Sequence, residues 1–472
     1  MAINCHRIVH LDLKGAPPKI SYIVQILPLL KEWGCTGLLM EYEDTFPYFD
    51  NLKFLSNSEA YTKENVEQIL AEAKKLHLEV IPLIQTFGHL EFALKHDNLK
   101  CLREVPNYPM SLCPSNSESC EFLYEIINQI LSLHPNAKWL HIGADEVSNI
   151  GYCGKCRKRR IPKEELFLGH VENIAKFVKK KNIQPIIWDD ILRNVPQETL
   201  LTFNLSKMVD IMVWDYRKEL KFPDEMWEKY SKAFENLWIA TAFKGATGPC
   251  KYATDIKYHI ANHRAWLKLL PMLKEKFKNV QGVVTTGWSR YDHYAILCEL
   301  LPVGFPSLAI SLNLLNTGSF SENLHTKVSN DLKFKSTLPL VPFTLKDLDV
   351  ECSFPGSNIY RGTLKYLKLR EEIKKLEKHE RIRGWMSTYH IKRKFANPAH
   401  LSSFLPNVKY TLNEVENFRC EMQNHLIEVF GNETVSEFLE TLLDDKIMFL
   451  KRLVNDCESL MQIGAGLKSN SE

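Results

Sequence analysis

The sequence lacks an uninterrupted apolar run of the roughly 20 residues that a membrane-spanning helix needs. The apolar stretch 301–315 is interrupted by Pro302, Gly304 and Pro306. No basic segment followed by an apolar core precedes the first strand-like run, so we expect no secretory signal peptide. The net charge is only +3, which does not suit a nucleic-acid or membrane partner. We therefore expect a protein of the cytosol or nucleus that binds neither nucleic acid nor membranes.

Cysteine is not scarce, but the pattern of a secreted disulfide scaffold is absent. In a reducing compartment the 12 cysteines are expected to be free thiols. Cys153 and Cys156 form one Cys-x-x-Cys, which is half of a tetrahedral zinc site, and no second half follows at zinc-ribbon spacing. We expect a structural thiol pair here, with no metal and no other cofactor, although three remote side chains could complete a site: Cys113, Cys120 and His170. The basic run 155–160 resembles a nuclear-import patch and is interpreted as a solvated helix start.

The order of the apolar runs predicts the fold of the first two thirds of the chain. Hydrophobic residues make up 45% and charged residues 25% of the sequence, which is ordinary for a globular protein. Near-continuous apolar runs, typical of parallel strands covered on both faces, alternate with helical or loop segments. Eight such units predict an α/β protein with a closed (β/α)₈ TIM barrel. The runs are Arg7–Leu13, Gly37–Tyr42, Glu79–Phe87, Trp139–Val147, Pro185–Asp190, Ile211–Tyr216, Leu237–Phe243 and Gly282–Trp288.

The last third of the sequence has a different pattern. Helical spacing is evident over 360–378, 411–430 and 435–460, and the apolar stripe of the last segment is expected to be core. The segment 339–355 is expected to be a poorly regular connector. We therefore predict a catalytic barrel over residues 1–324 and an appended α-helical domain over residues 325–472.

Polar side chains recur at or just past the carboxyl ends of the predicted strands, where barrel enzymes build their active sites. The most informative of them are Asp145 and Glu146, two adjacent carboxylates directly after an apolar strand and Gly143. Like charges on neighbouring residues repel and resist desolvation, so we expect one pKa to be raised. One acid can then serve as a proton donor while the other stays ionised.

The segment His141-Ile-Gly-Ala-Asp145-Glu146 fills the pattern His-x-Gly-x-Asp-Glu and resembles the signature of family 20 glycoside hydrolases, the β-N-acetylhexosaminidases. Further segments spread over the chain resemble the same family, among them His10–Pro18, Gln85–His89, Trp188–Asp190, Trp214–Tyr216, Phe243–Pro249 and Gly287–Tyr294. The resemblance implies retaining hydrolysis of a terminal β-linked N-acetylhexosamine, in which the 2-acetamido group of the substrate replaces an enzyme nucleophile.

The resemblance also implies roles for individual residues. Glu146 would be the general acid and base, Asp145 would orient the acetamido group, and Tyr216 would donate a hydrogen bond to its carbonyl. Trp188, Trp214 and Trp288 would form an apolar box and a platform for the sugar. The remaining predicted hydroxyl ligands, for any of which an ion pair at the barrel rim is a nearly equal alternative, are Asp12, His89, Asp189, Asp215, Lys244 and Asp292.

Two departures from the lysosomal relatives affect sugar recognition. The last strand carries Trp288-Ser289-Arg290 in place of Trp-x-Glu, and Phe243-Lys244-Gly245 stands where those relatives have Tyr two residues before Asp. The preference for N-acetylglucosamine or N-acetylgalactosamine therefore cannot be copied from them. The expected partner is a glycoconjugate or oligosaccharide with a terminal N-acetylhexosamine, and a homodimer is compatible with the sequence.

Two other functions are considered. An O-linked N-acetylglucosamine hydrolase would suit the pair Asp189-Asp190 but not the His-x-Gly-x-Asp-Glu segment. A carbohydrate-binding protein without turnover would not need a proton donor such as Glu146.

Overall fold

Eight parallel strands form a closed barrel in the computed structural model, which describes residues 5–341 and 350–464. Around the barrel the order is β1-β10-β9-β8-β7-β6-β3-β2, and each neighbouring pair is parallel. All eight predicted strands are therefore confirmed. The barrel strands are β1 (His6–Asp12), β2 (Gly37–Glu41), β3 (Glu79–Leu83), β6 (Trp139–His141), β7 (Gln184–Trp188), β8 (Asp210–Trp214), β9 (Asn236–Lys244) and β10 (Asn279–Gly287).

Apolar side chains from alternating strand positions fill the barrel interior, so the barrel is a packed core rather than a pore. The buried cluster includes Ile8, Leu39, Ile186, Met212 and Val284. Trp188 belongs to this cluster, while the partly buried Trp214 and Trp288 pack against it. Aromatic rings therefore separate the apolar core from the carboxyl-end rim.

Helices surround the barrel between successive strands. Their amphipathic spacing is clear in α2, which also begins with a capping box between Thr62 and Asn65. The helix Ser117–Leu133 follows the N-cap residue Asn116. The helices of this part are α1 (Ile20–Glu32), α2 (Lys63–Lys75), α3 (Glu91–Leu94), α4 (Ser117–Leu133), α5 (Gly154–Arg159), α6 (Lys163–Lys179), α7 (Gln197–Thr202), α8 (Asp224–Ala233), α9 (Ile256–Lys276), α10 (Leu301–Thr317) and α11 (Glu322–Asp331).

Two features of the barrel differ from the sequence prediction. The strand β6 ends at His141 instead of continuing to Val147, because Gly143, Ala144 and Glu146 adopt positive φ angles of 64°, 69° and 48°. A positive φ is incompatible with an extended strand. In addition, an antiparallel hairpin, β4 (Arg103–Val105) and β5 (Tyr108–Leu112), is inserted after β3.

A second compact unit consists of helices. Its described elements are α12 (Ser357–Glu377), α13 (Glu380–Trp385), α14 (Thr388–Arg393), α15 (Pro398–Val429), α16 (Asn432–Leu439), a π-helix (Glu440–Asp444) and α17 (Asp445–Ile463). The predicted core stripe is confirmed, because its side chains are buried from Phe438 to Leu453. The first unit extends to Val341 and includes Glu351–Pro355, whereas the sequence placed the boundary near residue 325. Part of the predicted connector, 342–349, lies outside the described residues.

Within the two described ranges, no helix is both long enough and apolar enough to cross a lipid bilayer.

Candidate active site

A pocket of about 250 Å³ lies among the residues that follow the carboxyl ends of the barrel strands. This volume is slightly below the 300–1,000 Å³ range of sites for drug-sized ligands, which suits a single sugar ring. Every lining residue belongs to the barrel unit. The lining comprises Lys14, Glu41, Gln85, His89, Asp145, Glu146, Trp188, Trp214, Tyr216, Gly245, Ala246, Trp288, Arg290 and Tyr291.

The turn that follows β6 gives Asp145 and Glu146 two different environments. Asp145 is buried, with 7% of its surface exposed, whereas the side chain of Glu146 is 58% exposed. The backbone N–H of Glu146 donates to Asp190 Oδ2 over 2.9 Å, which fixes the end of the turn. The left-handed backbone of Ala144 and Glu146 costs of order 1–3 kcal/mol per residue, and such strain is concentrated at functional sites.

His89 connects the two carboxylates. Its Nε2 lies 3.1 Å from Glu146 Oε2 and 3.7 Å from Asp145 Oδ2. Burial alone would lower the pKa of His89, but the Asp145 charge and the hydrogen bond to Glu146 raise it to about 10. His89 is therefore charged at neutral pH and acts on the acids themselves, rather than only as the sugar ligand predicted from the sequence.

The pKa shifts of Asp145 and Glu146 differ from the expectation that the proton donor has the raised pKa. Burial raises the pKa of Asp145, and the nearby Glu41 and Glu146 raise it further. The hydrogen bond from His89 lowers the pKa of Glu146 below its ordinary value. One pKa of the pair is raised, as expected, but it is that of the buried Asp145 and not that of the predicted proton donor. At Glu146 the hydrogen bond from His89 and its charge outweigh the partial burial that would raise the pKa.

Aromatic side chains form the walls of the pocket. Trp188 and Trp288 have ring centroids 6.1 Å apart, and Trp214 stacks on Tyr216 with centroids 5.3 Å apart and planes inclined by 27°. Burial raises the pKa of Tyr216 above its ordinary value, so its hydroxyl keeps its proton and can donate. The structure thus brings all four predicted aromatic residues to one pocket.

The base of the pocket contains a charged group that sequence reasoning did not assign to the site. Glu41 Oε2 lies 3.0 Å from His10 Nε2, and Glu41 Oε1 lies 3.1 Å from Lys14 Nζ. Burial opposes ionisation of Glu41, but Lys14 and His10 hold its pKa far below the ordinary value. The ammonium of Lys14 also lies 5.3 Å from the centroid of the Trp288 ring, within range of a cation–π interaction. Both residues carried a usable signal, because Glu41 and Lys14 stand at or just past the carboxyl ends of predicted strands.

Asp190 is a second residue that the predicted site omitted. Burial, followed by the charge of Asp145, raises the pKa of Asp190 to about 7. Its Oδ2 accepts the backbone N–H of Glu146, and Trp214 Nε1 lies 3.5 Å from its Oδ1. Asp190 therefore positions the backbone of Glu146 and one wall of the pocket.

Five of the predicted hydroxyl ligands do not line the pocket. Their polar atoms form hydrogen bonds or ion pairs with other groups of the protein instead. Asp189 accepts two hydrogen bonds of 2.7 Å from Arg193 and is fully buried. Asp215 forms an ion pair with Arg217. Asp12 accepts from the backbone N–H of Ser289 over 2.8 Å and pairs with Lys14 at 3.3 Å.

The last two of the five have similar internal roles. Lys244 Nζ donates to the carbonyl of Trp288 over 2.7 Å. Asp292 Oδ1 accepts from the backbone N–H groups of Tyr294 and Ala295. We no longer assign Asp12, Asp189, Asp215, Lys244 or Asp292 to sugar binding; the ion-pair or capping alternative describes their contacts.

Comparison with known proteins agrees with this geometry. The profile of the glycosyl hydrolase family 20 catalytic domain matches residues 21–230. Hexosaminidase D of Homo sapiens is 39% identical over 462 residues, which cover 95% of this chain and 94% of that protein. Hexosaminidase D of Bos taurus is 42% identical over 340 residues, covering 70% of this chain and 97% of the relative.

The β-N-acetylhexosaminidase of Bacteroides fragilis has a similar fold, with a TM-score of 0.52 at 16% identity over 69% of each chain. The barrel and its rim pocket define a (β/α)₈ protein with a binding site at the carboxyl ends of its strands. The match in sequence is more specific, and it shows that this chain belongs to glycosyl hydrolase family 20. It is therefore a glycoside hydrolase.

Proposed function

We propose that the protein is a retaining exo-β-N-acetylhexosaminidase that removes terminal β-linked N-acetylgalactosamine or N-acetylglucosamine by substrate-assisted catalysis. One observation carries the proposal: Asp145 Oδ1 is buried at the pocket and, among the described residues, has no hydrogen-bond partner. A buried acceptor without a donor is costly, so a donor from the substrate is expected there. The acetamido N–H of an N-acetylhexosamine is such a donor. The names of the relatives support the same substrate class.

The chemistry follows from the positions of the two acids. The acetamido carbonyl oxygen attacks the anomeric carbon, the bond to the leaving oxygen breaks, and Glu146 transfers its proton to that oxygen. Asp145 accepts the acetamido N–H and balances the positive charge of the oxazolinium intermediate. Glu146, now ionised, then takes a proton from the water that attacks the anomeric carbon, and the bond from that carbon to the acetamido oxygen breaks. Two inversions at that carbon restore the original configuration.

The aromatic wall positions the acetamido group for this attack. The hydroxyl of Tyr216 donates to the acetamido carbonyl, and the rings of Trp188, Trp214 and Trp288 enclose the methyl group and one face of the sugar. Arg290 and Tyr291 line the pocket where the sequence departs from the lysosomal relatives. We assign contact with the distal sugar hydroxyls to these two residues.

The ion pair of Glu146 with His89 is compatible with an acid that becomes competent on binding. Glu146 is half exposed, and a sugar with its leaving group over it would remove water. Desolvation favours the protonated carboxyl and thereby raises its pKa. Glu146 would therefore be protonated more readily in the complex than in the open pocket.

The two other functions fit the contacts less well. An O-linked N-acetylglucosamine hydrolase would use Asp189 and Asp190 together, but Asp189 is buried against Arg193. A binding protein without turnover would not need an exposed carboxylate held by His89 over the pocket.

The test compares nitrophenyl β-glycosides of N-acetylglucosamine, N-acetylgalactosamine and glucose. We expect hydrolysis of one or both N-acetyl substrates and at least about 10³-fold lower kcat/KM for the glucoside, because the glucoside lacks the internal nucleophile. Asp145→Asn should lower kcat far more than it raises KM, since its interaction is strongest where charge develops. Comparable hydrolysis of the glucoside would exclude substrate assistance, and an effect of Asp145→Asn on KM alone would exclude the assigned role.

A further inference from the structure

Four potential metal ligands converge beside the segment that carries Asp145 and Glu146. Cys153 is the N-cap of α5, and Cys156 lies in its first turn. Cys113 follows β5 directly, and Glu104 is the middle residue of β4. The four donor atoms lie within 4.8 Å of one another. The segment of the inserted hairpin β4–β5 therefore supplies two further ligands, Glu104 and Cys113, which the Cys-x-x-Cys motif alone did not reveal.

Three of the distances between these atoms are close to the edges of a metal-centred tetrahedron. With Zn–S bonds of about 2.3 Å and Zn–O bonds of about 2.0–2.2 Å, the edges are about 3.5–3.8 Å. The Sγ atom of Cys113 lies 3.3 Å from that of Cys153 and 3.6 Å from that of Cys156. The Sγ atom of Cys156 lies 3.3 Å from Glu104 Oε2. A disulfide would require about 2.05 Å between sulfurs.

The surroundings orient the ligands and balance their charge. Glu104 Oε1 accepts the backbone N–H groups of Tyr152 and Cys153 over 2.6 and 2.9 Å, which leaves Oε2 directed at the thiol cluster. Such outer hydrogen bonds are typical of ligating carboxylates. Three thiolates and one carboxylate around a dication leave a net charge of −2. The exposed basic residues of the run 155–160 lie next to this charge, which gives them a local electrostatic role.

We propose that Glu104, Cys113, Cys153 and Cys156 form a structural Zn²⁺ site. The site is closed, because four protein ligands complete the tetrahedron and leave no position for a water or substrate. Thiolate ligands favour Zn²⁺ over Mg²⁺ or Ca²⁺, and binding releases the thiol protons to solvent. Cys120 lies outside the cluster, and His170 Nε2 is 2.8 Å from the carbonyl of Thr86. This proposal replaces the expectation that Cys153 and Cys156 form a structural thiol pair without a metal.

The consequence is a cross-link between two segments that α4 and β6 separate in the chain. The site would join the turn after β6, which positions Asp145 and Glu146, to the hairpin inserted after β3. This role is independent of the reaction proposed above, because none of the four ligands lines the pocket.

The first experiment measures metal in the intact protein. The full chain is purified under reducing conditions, incubated with Zn²⁺ and desalted. Elemental mass spectrometry is then expected to find one zinc per chain. Cys113→Ser and Cys153→Ser should lose it, whereas Cys250→Ser, which changes an exposed cysteine outside the cluster, should retain it. A strong chelator should lower Tm by more than about 5 °C in the wild type, and Zn²⁺ should restore it.

The second experiment does not depend on the folding of cysteine variants. Wild-type protein stripped of zinc and titrated with Co²⁺ should develop thiolate-to-cobalt charge-transfer absorption that saturates at one equivalent. Glu104→Gln should weaken Zn²⁺ binding by about 10-fold or more while the absorption remains. Absence of both zinc and the cobalt absorption would overturn the proposal. A Cys113–Cys153 disulfide that persists under reducing conditions, or unchanged zinc content in Cys113→Ser and Cys153→Ser, would overturn it as well.

Discussion

Asp145 and Glu146 are adjacent in the chain, yet the folded protein treats them as chemically different groups. Asp145 is buried with a raised pKa, and Glu146 is exposed and paired with His89, which lowers its pKa. The positive φ at Ala144 and Glu146 turns the backbone so that two neighbouring side chains meet different surroundings. The sequence provides two adjacent carboxylic acids, and the conformation of the turn determines the different surroundings of each.

We expect Glu146→Gln to fold normally and to reduce kcat severely, by about 10²–10⁴-fold, because an amide cannot protonate the leaving oxygen. The measurement uses N-acetylhexosaminides with leaving groups of increasing basicity. A nitrophenyl leaving group needs less protonation, so its hydrolysis should fall less than that of an alkyl glycoside. A loss below tenfold on the alkyl substrate would mean that another group is the acid.

We expect His89→Gln to shift the pH dependence of activity. The charged imidazole lowers the pKa of Glu146, so removing the charge should raise that pKa. The alkaline limb of kcat/KM reports the pKa of the acid in the free enzyme and should move to higher pH. The measurement is kcat/KM from about pH 4 to 9.

His425→Gln is the matched control for this change, because His425 pairs with Glu421 in the helical unit. It should leave the profile unchanged. An alkaline limb of His89→Gln that stays in place or moves to lower pH would contradict the assigned influence of His89.

At the scale of elements, the turn after β6 packs closely against the segment after β3. A Cβ added to Gly88 would lie 2.2 Å from the carbonyl oxygen of Asp145, and a Cβ added to Gly143 would lie 2.0 Å from Gln85 Oε1. The first distance is far below van der Waals contact with a backbone atom, and Gly143 also has a positive φ of 64°, which favours glycine. The turn that carries Asp145 and Glu146 is therefore shaped by the segment after β3 as well as by its own sequence.

We expect Gly88→Ala to displace the Asp145 carbonyl, and thereby to lower kcat by at least tenfold while leaving a folded protein with a reduced Tm. Gly384→Ala is the control, because a Cβ there meets no atom within 4 Å. In a helix it should be neutral or stabilise by about 0.5–1 kcal/mol. Parallel kinetics and thermal unfolding of both variants test this. Normal kcat in Gly88→Ala would show that the turn tolerates the displacement.

At the scale of the whole molecule, the closed barrel allows access to the pocket from its rim. The packed aromatic and aliphatic core lies beneath the pocket, so a chain of sugars cannot pass through the barrel. With a volume of about 250 Å³, the pocket has room for about one sugar ring, so we expect the remainder of a glycan to stay outside it.

We therefore expect strictly terminal cleavage. With a β-linked tetrasaccharide of N-acetylglucosamine, or its N-acetylgalactosamine counterpart if that epimer is preferred, the first products should be the monosaccharide and the trisaccharide. Product analysis at low conversion distinguishes this from internal cleavage. Disaccharide as a major initial product would contradict a pocket that ends at one sugar.

The sequence by itself determined the eight strands, the helical character of the last third and the pair Asp145-Glu146. Alternating apolar runs define parallel strands locally, and the carboxyl ends of such strands must meet at one end of a barrel. For this reason Tyr216, Trp188, Trp214 and Trp288 could be placed together before any coordinates were known. Only the tertiary structure decided that Asp189 and Asp215 pair with arginines while Glu41, Lys14 and Asp190 shape the site.

The hairpin β4–β5, which brings Glu104 and Cys113 to Cys153 and Cys156, was also invisible in the sequence pattern. The physical reason is the same in both cases. Strand and helix periodicities are properties of neighbouring residues, whereas the partner of a polar side chain is chosen by contacts between segments far apart in the chain. Those contacts exist only once the barrel has closed.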